Sequence, residues 1–179
     1  MANVLSDTIT SLDSKWPGSR MTAGQGAPAR TIVVEGSVTA ANVATVALDG
    51  YLQMVRIPSN CSVKKVEYVQ DSTATTMTWN CGLHYSDATD DGTQAQYQGT
   101  VISDTFFASA YAGAAVVTYA DITFQSGTYH ASATRQPIWE AVALSADPGG
   151  MFDVTLQLDA ALSGNATVSV RVTYTVPAD

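Results

Sequence analysis

Charge is what this sequence has least of. Lysine and arginine number 8, aspartate and glutamate 16, and charged residues fill 13% of 179 positions, where soluble domains run at roughly 25%. The shortage is deepest on the basic side, leaving a net charge of −8. That balance argues against a nucleic-acid binder, whose footprint is a basic stripe. Two cysteines, Cys61 and Cys81, are too few for a disulfide framework and read as small buried thiols. With only two histidines beside them, at no finger-like spacing, zinc is disfavoured. Glu35, Glu67 and Glu140 are the only glutamates, and a glycosidase carboxylate pair is possible but unsupported. No stretch approaches the roughly 18 consecutive apolar residues of a membrane span. The richest, Phe106 to Tyr119, is diluted by Ser, Gly and Thr. Residues 1–20 hold no uninterrupted apolar run and reach their first basic residue at Lys15. No secretory signal is therefore expected, and synthesis in a cytoplasm is.

What is present is an ordinary hydrophobic fraction, 46%, rich in Ala and Val, with Thr, Ser, Asn, Gln, Gly and Ala left to cover the surface. Such a chain buries enough to fold and is not expected to be disordered. Residues 1–30 stand apart: Pro17-Gly18, Gly24, Gly26 and Pro28 break them up, and their hydrophobes follow neither a helix nor a strand period. Lys15, Arg20 and Arg30 against Asp7 and Asp13 give this segment +1, and the remaining 5 basic and 14 acidic residues give the body −9. A frayed terminus has little use for Leu5, Ile9, Leu12, Trp16 and Met21. The segment reads as an extended arm that docks on an acidic neighbour through Leu5, Ile9, Leu12, Lys15, Trp16, Arg20, Met21 and Arg30.

From Thr31 to the C-terminus the period becomes two, which makes residues 31–179 an all-β domain. Met77, Trp79, Cys81, Leu83 and Tyr85 alternate with Thr76, Thr78, Asn80, Gly82 and His84. Phe152, Val154, Leu156 and Leu158 alternate with Asp153, Thr155, Gln157 and Asp159, and the pattern resumes from Ala166 to Val176 after Ser163-Gly164-Asn165. These last two segments are expected to pair as an antiparallel hairpin. Less regular strands are expected at Thr31–Val38, Val43–Leu48, Tyr51–Ile57, Val63–Gln70, Phe106–Tyr111 and Ala114–Phe124. Only Gln136–Leu144 looks helical, about two turns, with Pro137 at its start and Asp147-Pro148-Gly149-Gly150 stopping it. Many short strands, one short helix and frequent turns predict a β-sandwich or jelly roll with an extended N-terminal arm.

Candidate chemistry is thin. His84, Ser86 and Asp87 are neighbours along the chain, whereas a triad needs separated residues converging in space. His84 falls on the polar face of its strand, so it and His130 read as exposed or interfacial. Asp87-Ala88-Thr89-Asp90-Asp91-Gly92 mimics the opening of a calcium loop, but Gln98 stands where the bidentate Glu belongs and flanking helices are missing. A hydrophilic turn explains it more simply. Trp79, Tyr85, Tyr97, Phe106, Phe107, Tyr111 and Tyr119 offer a sugar platform, although alternation already assigns Trp79 and Tyr85 to the core.

Three segments resemble small bacteriophage virion proteins. Asp49 to Val63, with Ile57-Pro58 at its corner, is similar to that family's strand–corner–strand unit. Met77 to Asp87 resembles its "Gly-Leu-(His/Tyr)-Tyr" strand and turn. Pro137 to Val154, with Trp139-Glu140 and Asp147-Pro148-Gly149, resembles its short helix, turn and final strand pair. The resemblance spans residues 49–176 with gaps, and its motifs are structural corners. It implies a non-enzymatic capsid decoration (cement) protein without a cofactor. Such a protein sits on the outer surface of a phage head, forms a homotrimer at threefold or quasi-threefold positions, and binds the major capsid protein across capsomer boundaries. Nucleic acid and membrane are not expected partners. A head-fibre, tail-associated or receptor- and glycan-binding module is the alternative, and a small β-sandwich hydrolase a distant third. A major shell protein is disfavoured because that fold needs a long helix, which the sequence does not offer.

Overall fold

Regular alternation of apolar and polar residues becomes strand almost wherever it occurs. The structure is a computed structural model and describes residues 4–5, 30–43, 48–71, 77–86, 100–112, 118–159 and 166–176. Two antiparallel sheets result. The first runs, in spatial order, β1 (Val4–Leu5), β2 (Arg30–Val38), β9 (Val168–Val176), β4 (Ser62–Gln70) and β7 (Ala120–Asp121). The second runs β3 (Tyr51–Pro58), β8 (Met151–Leu158), β5 (Thr78–Tyr85) and β6 (Val101–Ala112).

The apolar rows face inward and make one core. Val63, Val66 and Tyr68 of β4 and Val168, Val170 and Val172 of β9 are buried together with Trp79, Cys81 and Leu83 of β5 and Phe152, Val154, Leu156 and Leu158 of β8. Each such aliphatic or aromatic side chain contributes roughly 1.5–3 kcal/mol on leaving water. The sheets approach closely at Gly36, where an added Cβ would lie 1.9 Å from the Met54 carbonyl oxygen. β2 can cross β3 there only because residue 36 has no side chain.

Several expectations are corrected. β8 and β9 do not pair: β8 lies between β3 and β5, while β9 lies between β2 and β4 in the other sheet. A strand with one apolar face buries it equally well beside its neighbour or across a sandwich, so alternation cannot choose between them. Val43–Leu48 does not begin as a strand: Val43 closes a one-turn helix, Ala40–Val43, and residues 44–47 lie outside the described residues. Of Ala114–Phe124, only Ala120–Asp121 is strand among the described residues, and Thr123–Gln125 turn away from it. Conversely, β6 begins at Val101, five residues before the expected start at Phe106.

The helical segment shrinks to one α turn, Ile138–Ala141, preceded by a 3-10 turn at Ala133–Arg135. Its apolar residue Ile138 is fully buried. Its first free N–H groups are taken by the corner after β3: Ile138 donates to the Cys61 carbonyl (2.7 Å) and Trp139 to that of Ser59 (3.3 Å). Asp147 completes the junction, its Oδ1 accepting from the Ser59 hydroxyl (2.7 Å) and the Gly149 N–H (2.9 Å). The corner at Ser59 and the Asp147-Pro148-Gly149 turn, distant in sequence, are therefore one structural unit.

Candidate assembly surfaces and a buried polar face

Of the arm residues, Leu5 and Arg30 fall within the described residues; Ile9, Leu12, Lys15, Trp16, Arg20 and Met21 lie outside them. The backbone of Leu5 pairs with Ile32 and that of Val4 with Val33, so β1 lies along the outer edge of β2. Arg30 is exposed and opens β2 opposite Val176. The Asp87–Gly92 string and Tyr97 lie outside the described residues.

The outer face of the first sheet is a grid set by strand register. Across β2 and β9 it pairs Thr31 with Thr175, Val33 with Thr173, Glu35 with Arg171 and Ser37 with Ser169. β4 extends the charged row with Glu67. The Arg171 Nε donates to Glu67 Oε2 (2.9 Å), Lys65 Nζ donates to Oε1 (2.7 Å), and the guanidinium lies 3.9 Å from the centre of the Tyr119 ring. The Tyr119 hydroxyl donates to Glu35. Arg171 first, and Lys65 with it, hold the Glu67 carboxyl below the usual carboxylate range despite its burial. Most of the charges on this face pair with one another, exposed Asp121 of β7 extending the row opposite Glu67, and hydroxyls surround them, including Ser37 and Ser169 at 2.6 Å.

The outer face of the second sheet is different, because it is largely buried. Asn80, His84, Asp153 and Thr155 belong to the polar faces of their strands, and His84 reads as exposed or interfacial, yet His84 and Asp153 are 0% exposed and Thr155 is 1% exposed. Strand register places Arg56, Asp153 and His84 in one row and Tyr51, Gln157 and Asn80 in another. Between these rows sits Gly82, opposite Thr155. β6 covers the vacancy. It pairs Ser103 with Leu83 and Ala108 with Cys81, spending five residues where β5 spends two. The resulting bulge lays the Ser103 and Asp104 backbone over Gly82.

Hydrogen bonds stitch the bulge down. Tyr51 donates its hydroxyl proton to Asp104 Oδ1 (3.0 Å) and accepts from Gln157 Nε2 (3.2 Å). Asn80 Nδ2 donates to Gln157 Oε1 (3.0 Å) and Asp159 Oδ1 (3.1 Å), while its Oδ1 accepts from the Ala110 N–H (2.8 Å). Arg56 grips Asp153 with two bonds, Nε to Oδ1 at 2.7 Å and Nη2 to Oδ2 at 3.3 Å. His84 Nδ1 and the Thr155 hydroxyl are 2.8 Å apart, and the Tyr51 ring meets the imidazole edge-on at 4.5 Å. Burial holds the His84 pKa below its ordinary value, against the pull of Asp104 and Asp153. Thr155, His84 and Asp104 have the residue types of a nucleophile relay. Both Thr155 and His84 are enclosed, and their contact links β8 to β5.

Other candidates resolve simply. His130 is exposed. Cys61 and Cys81 are free, buried thiols. Trp79 is fully buried and Tyr85 packs edge-on to Phe152 at 5.7 Å. Phe106 and Phe107 are also buried, against Tyr129 at 5.2 and 5.3 Å. Among the described residues no group of three or more His, Cys, Asp or Glu side chains is placed to hold a metal ion. Asp104 is the residue that pattern reading missed; the mid-strand Gly82, which marks a close backbone approach, was the available signal.

A β-sandwich of this kind occurs in a phage capsid. The fold is similar to that of a chain in the capsid of Ralstonia phage GP4, with a TM-score of 0.56 at 15% identity over 90% of this chain and 94% of that one. A chain of the cyanophage Pam1 capsid asymmetric unit aligns at 20% identity and TM-score 0.49, over 90% of this chain and 96% of that one. No protein-family model and no curated protein sequence matches the chain. At these identities the likeness to the GP4 chain is one of fold.

Proposed function

We propose that this chain is a structural virion protein, a decoration (cement) protein that binds the outer surface of a bacteriophage head across capsomer boundaries. The observation that carries the reading is the extent of the likeness to the phage GP4 capsid chain: 90% of this chain aligns with 94% of that one. The match therefore concerns the whole fold and not a shared fragment. The first sheet's outer face supports it, since hydroxyls and a few, mostly paired charges cost less to desolvate against a partner than scattered single charges do. Among the described residues the helices reach only four residues, short of the long helix that a major shell protein needs. A body carrying −9 is repelled by packaged DNA, which favours the outer side of a shell.

In this reading the chain forms a homotrimer, and residues 1–30 clasp the neighbouring subunit or the major capsid protein. Binding to the assembled shell and not to its free subunits stabilises the shell by mass action. No reaction and no cofactor enter. The test mixes purified protein with emptied or expanded capsids and measures binding stoichiometry and the capsid disruption temperature. Binding with a raised disruption temperature is expected, weakened by deleting residues 1–30. Failure to bind any capsid form overturns the reading, and undiminished binding by the truncated chain removes the arm from it. Retention on host cells or glycans in place of capsids favours the receptor-binding alternative.

A further inference from the structure

Among the described residues, the sandwich guards much of its sheet edges with its own chain. Along β4, β7 pairs with Glu67 and Tyr68. Ile122 and Thr123 carry that hold on to Val66, the Ile122 N–H donating to its carbonyl (2.9 Å) and the Thr123 hydroxyl accepting from its N–H (2.8 Å). Along β6, the Ser126 N–H donates to the Phe107 carbonyl (2.9 Å) and the Gln125 side chain accepts from the Ser109 N–H (2.7 Å). β2 and β3 shield each other where Gly36 meets Met54. The opening half of β2 is covered differently. On the side away from β9 its partner is β1, two residues of ladder at Ile32 and Val33. Those two residues set a few hydrogen bonds against the entropy of closing the 24-residue segment 6–29, so the pairing does not tie β1 to its own copy.

We propose that β1 docks in trans: Val4–Leu5 of one copy adds as a strand to the Ile32–Val33 edge of β2 in a neighbouring copy. The inference rests on the proposed clasping role of residues 1–30 and names the surface that receives them. The outward N–H and C=O groups of an edge strand are a template for an extended segment. Every copy offers the same β2, so the ladder formed between copies is the ladder formed within one. Reach permits the exchange. Fully extended, 24 residues span up to about 80 Å, against a diameter of about 40 Å for a domain of this size. Charge favours it as well. Bodies of −9 repel each other, and a segment of +1 laid across their boundary reduces that repulsion.

The experiment places one cysteine on each side of the ladder. Residues directly opposite in an antiparallel pair have Cα atoms about 4.5–5.5 Å apart, within disulfide range. Cys61 and Cys81 are buried and stay out of the reaction. Purified Val4→Cys chain is mixed with nitrogen-15-labelled Val33→Cys chain and oxidised mildly over a range of concentrations. Mixed-mass dimers are then counted by mass spectrometry under denaturing, non-reducing conditions. They should exceed several-fold those formed with Ser37→Cys, which lies further along the same face of β2. Mixed dimers no more frequent than with Ser37→Cys overturn the exchange. So does a Val4→Cys/Val33→Cys chain that closes its disulfide only within itself. If Val33→Cys does not fold, Leu5→Cys with Ile32→Cys reads the next rung of the ladder. Capsid binding is measured separately on the unaltered chain: failure there overturns the cement reading, whereas failure of cross-linking alone overturns only the exchange.

Discussion

Gly82→Ala separates close packing from backbone freedom as the reason for a mid-strand glycine. Residue 82 lies in β5 with no positive φ, so alanine fits its conformation and the difficulty is entirely one of space. An added Cβ would stand 2.1 Å from the Ser103 carbonyl oxygen, 2.4 Å from that of Asp104 and 2.5 Å from the Asp104 carbonyl carbon. Ordinary contact begins near 3.4 Å, so the β6 backbone must retreat by roughly 1 Å, and no flexible side chain is there to yield. Overpacking of this kind costs about 1–3 kcal/mol. The retreat also strains the Tyr51–Asp104 hydrogen bond, worth about 1 kcal/mol. A loss of about 3 kcal/mol is expected, which for a chain of this length lowers Tm by roughly 6–12 °C. Urea denaturation and calorimetry measure it. Gly127→Ala is the contrasting control: nothing lies within 4 Å of its Cβ, but φ is +74°, so its cost of about 1–2 kcal/mol is torsional. If Gly82→Ala costs less than about 1 kcal/mol and leaves β6 protection unchanged, the close approach of β6 to β5 is wrong.

Two further outcomes follow from the same geometry. Arg56→Met strands the buried Asp153 carboxylate and should cost about 3 kcal/mol, the low end of the usual range because Arg56 is partly exposed. Adding Asp153→Leu should recover much of that loss, and a double-mutant cycle with coupling below about 0.5 kcal/mol would show the pair to be unimportant. Cys61 and Cys81 are buried, with thiol pKa values pushed up to about 12 by burial. Neither should react with a disulfide reagent at pH 8 until denaturant is added, when both should. Rapid labelling of the folded protein, or fewer than two thiols after unfolding, contradicts the structure.

The amino-acid order by itself determined that this is a β protein with one hydrophobic core. Alternation is a local property, and at Thr78–Tyr85, Met151–Leu158 and Val168–Val176 it marks both the strand and its inward face. The scarcity of charge was equally legible, and it foretold a surface rich in hydroxyls such as the outer face of the first sheet. Partnering was not legible, because β8 and β9 satisfy the same hydrophobic pattern in one sheet or in two. Nor was the burial of His84, Asp153 and Thr155, since alternation marks which residues share a face and says nothing of what covers it. Only the tertiary structure brought the β6 bulge over Gly82, and with it Asp104 and Tyr51 onto an imidazole that the sequence reads as exposed or interfacial. The physical reason is that burial on the polar side of a strand depends on chain far away in sequence, whereas the period of a strand depends only on its own residues.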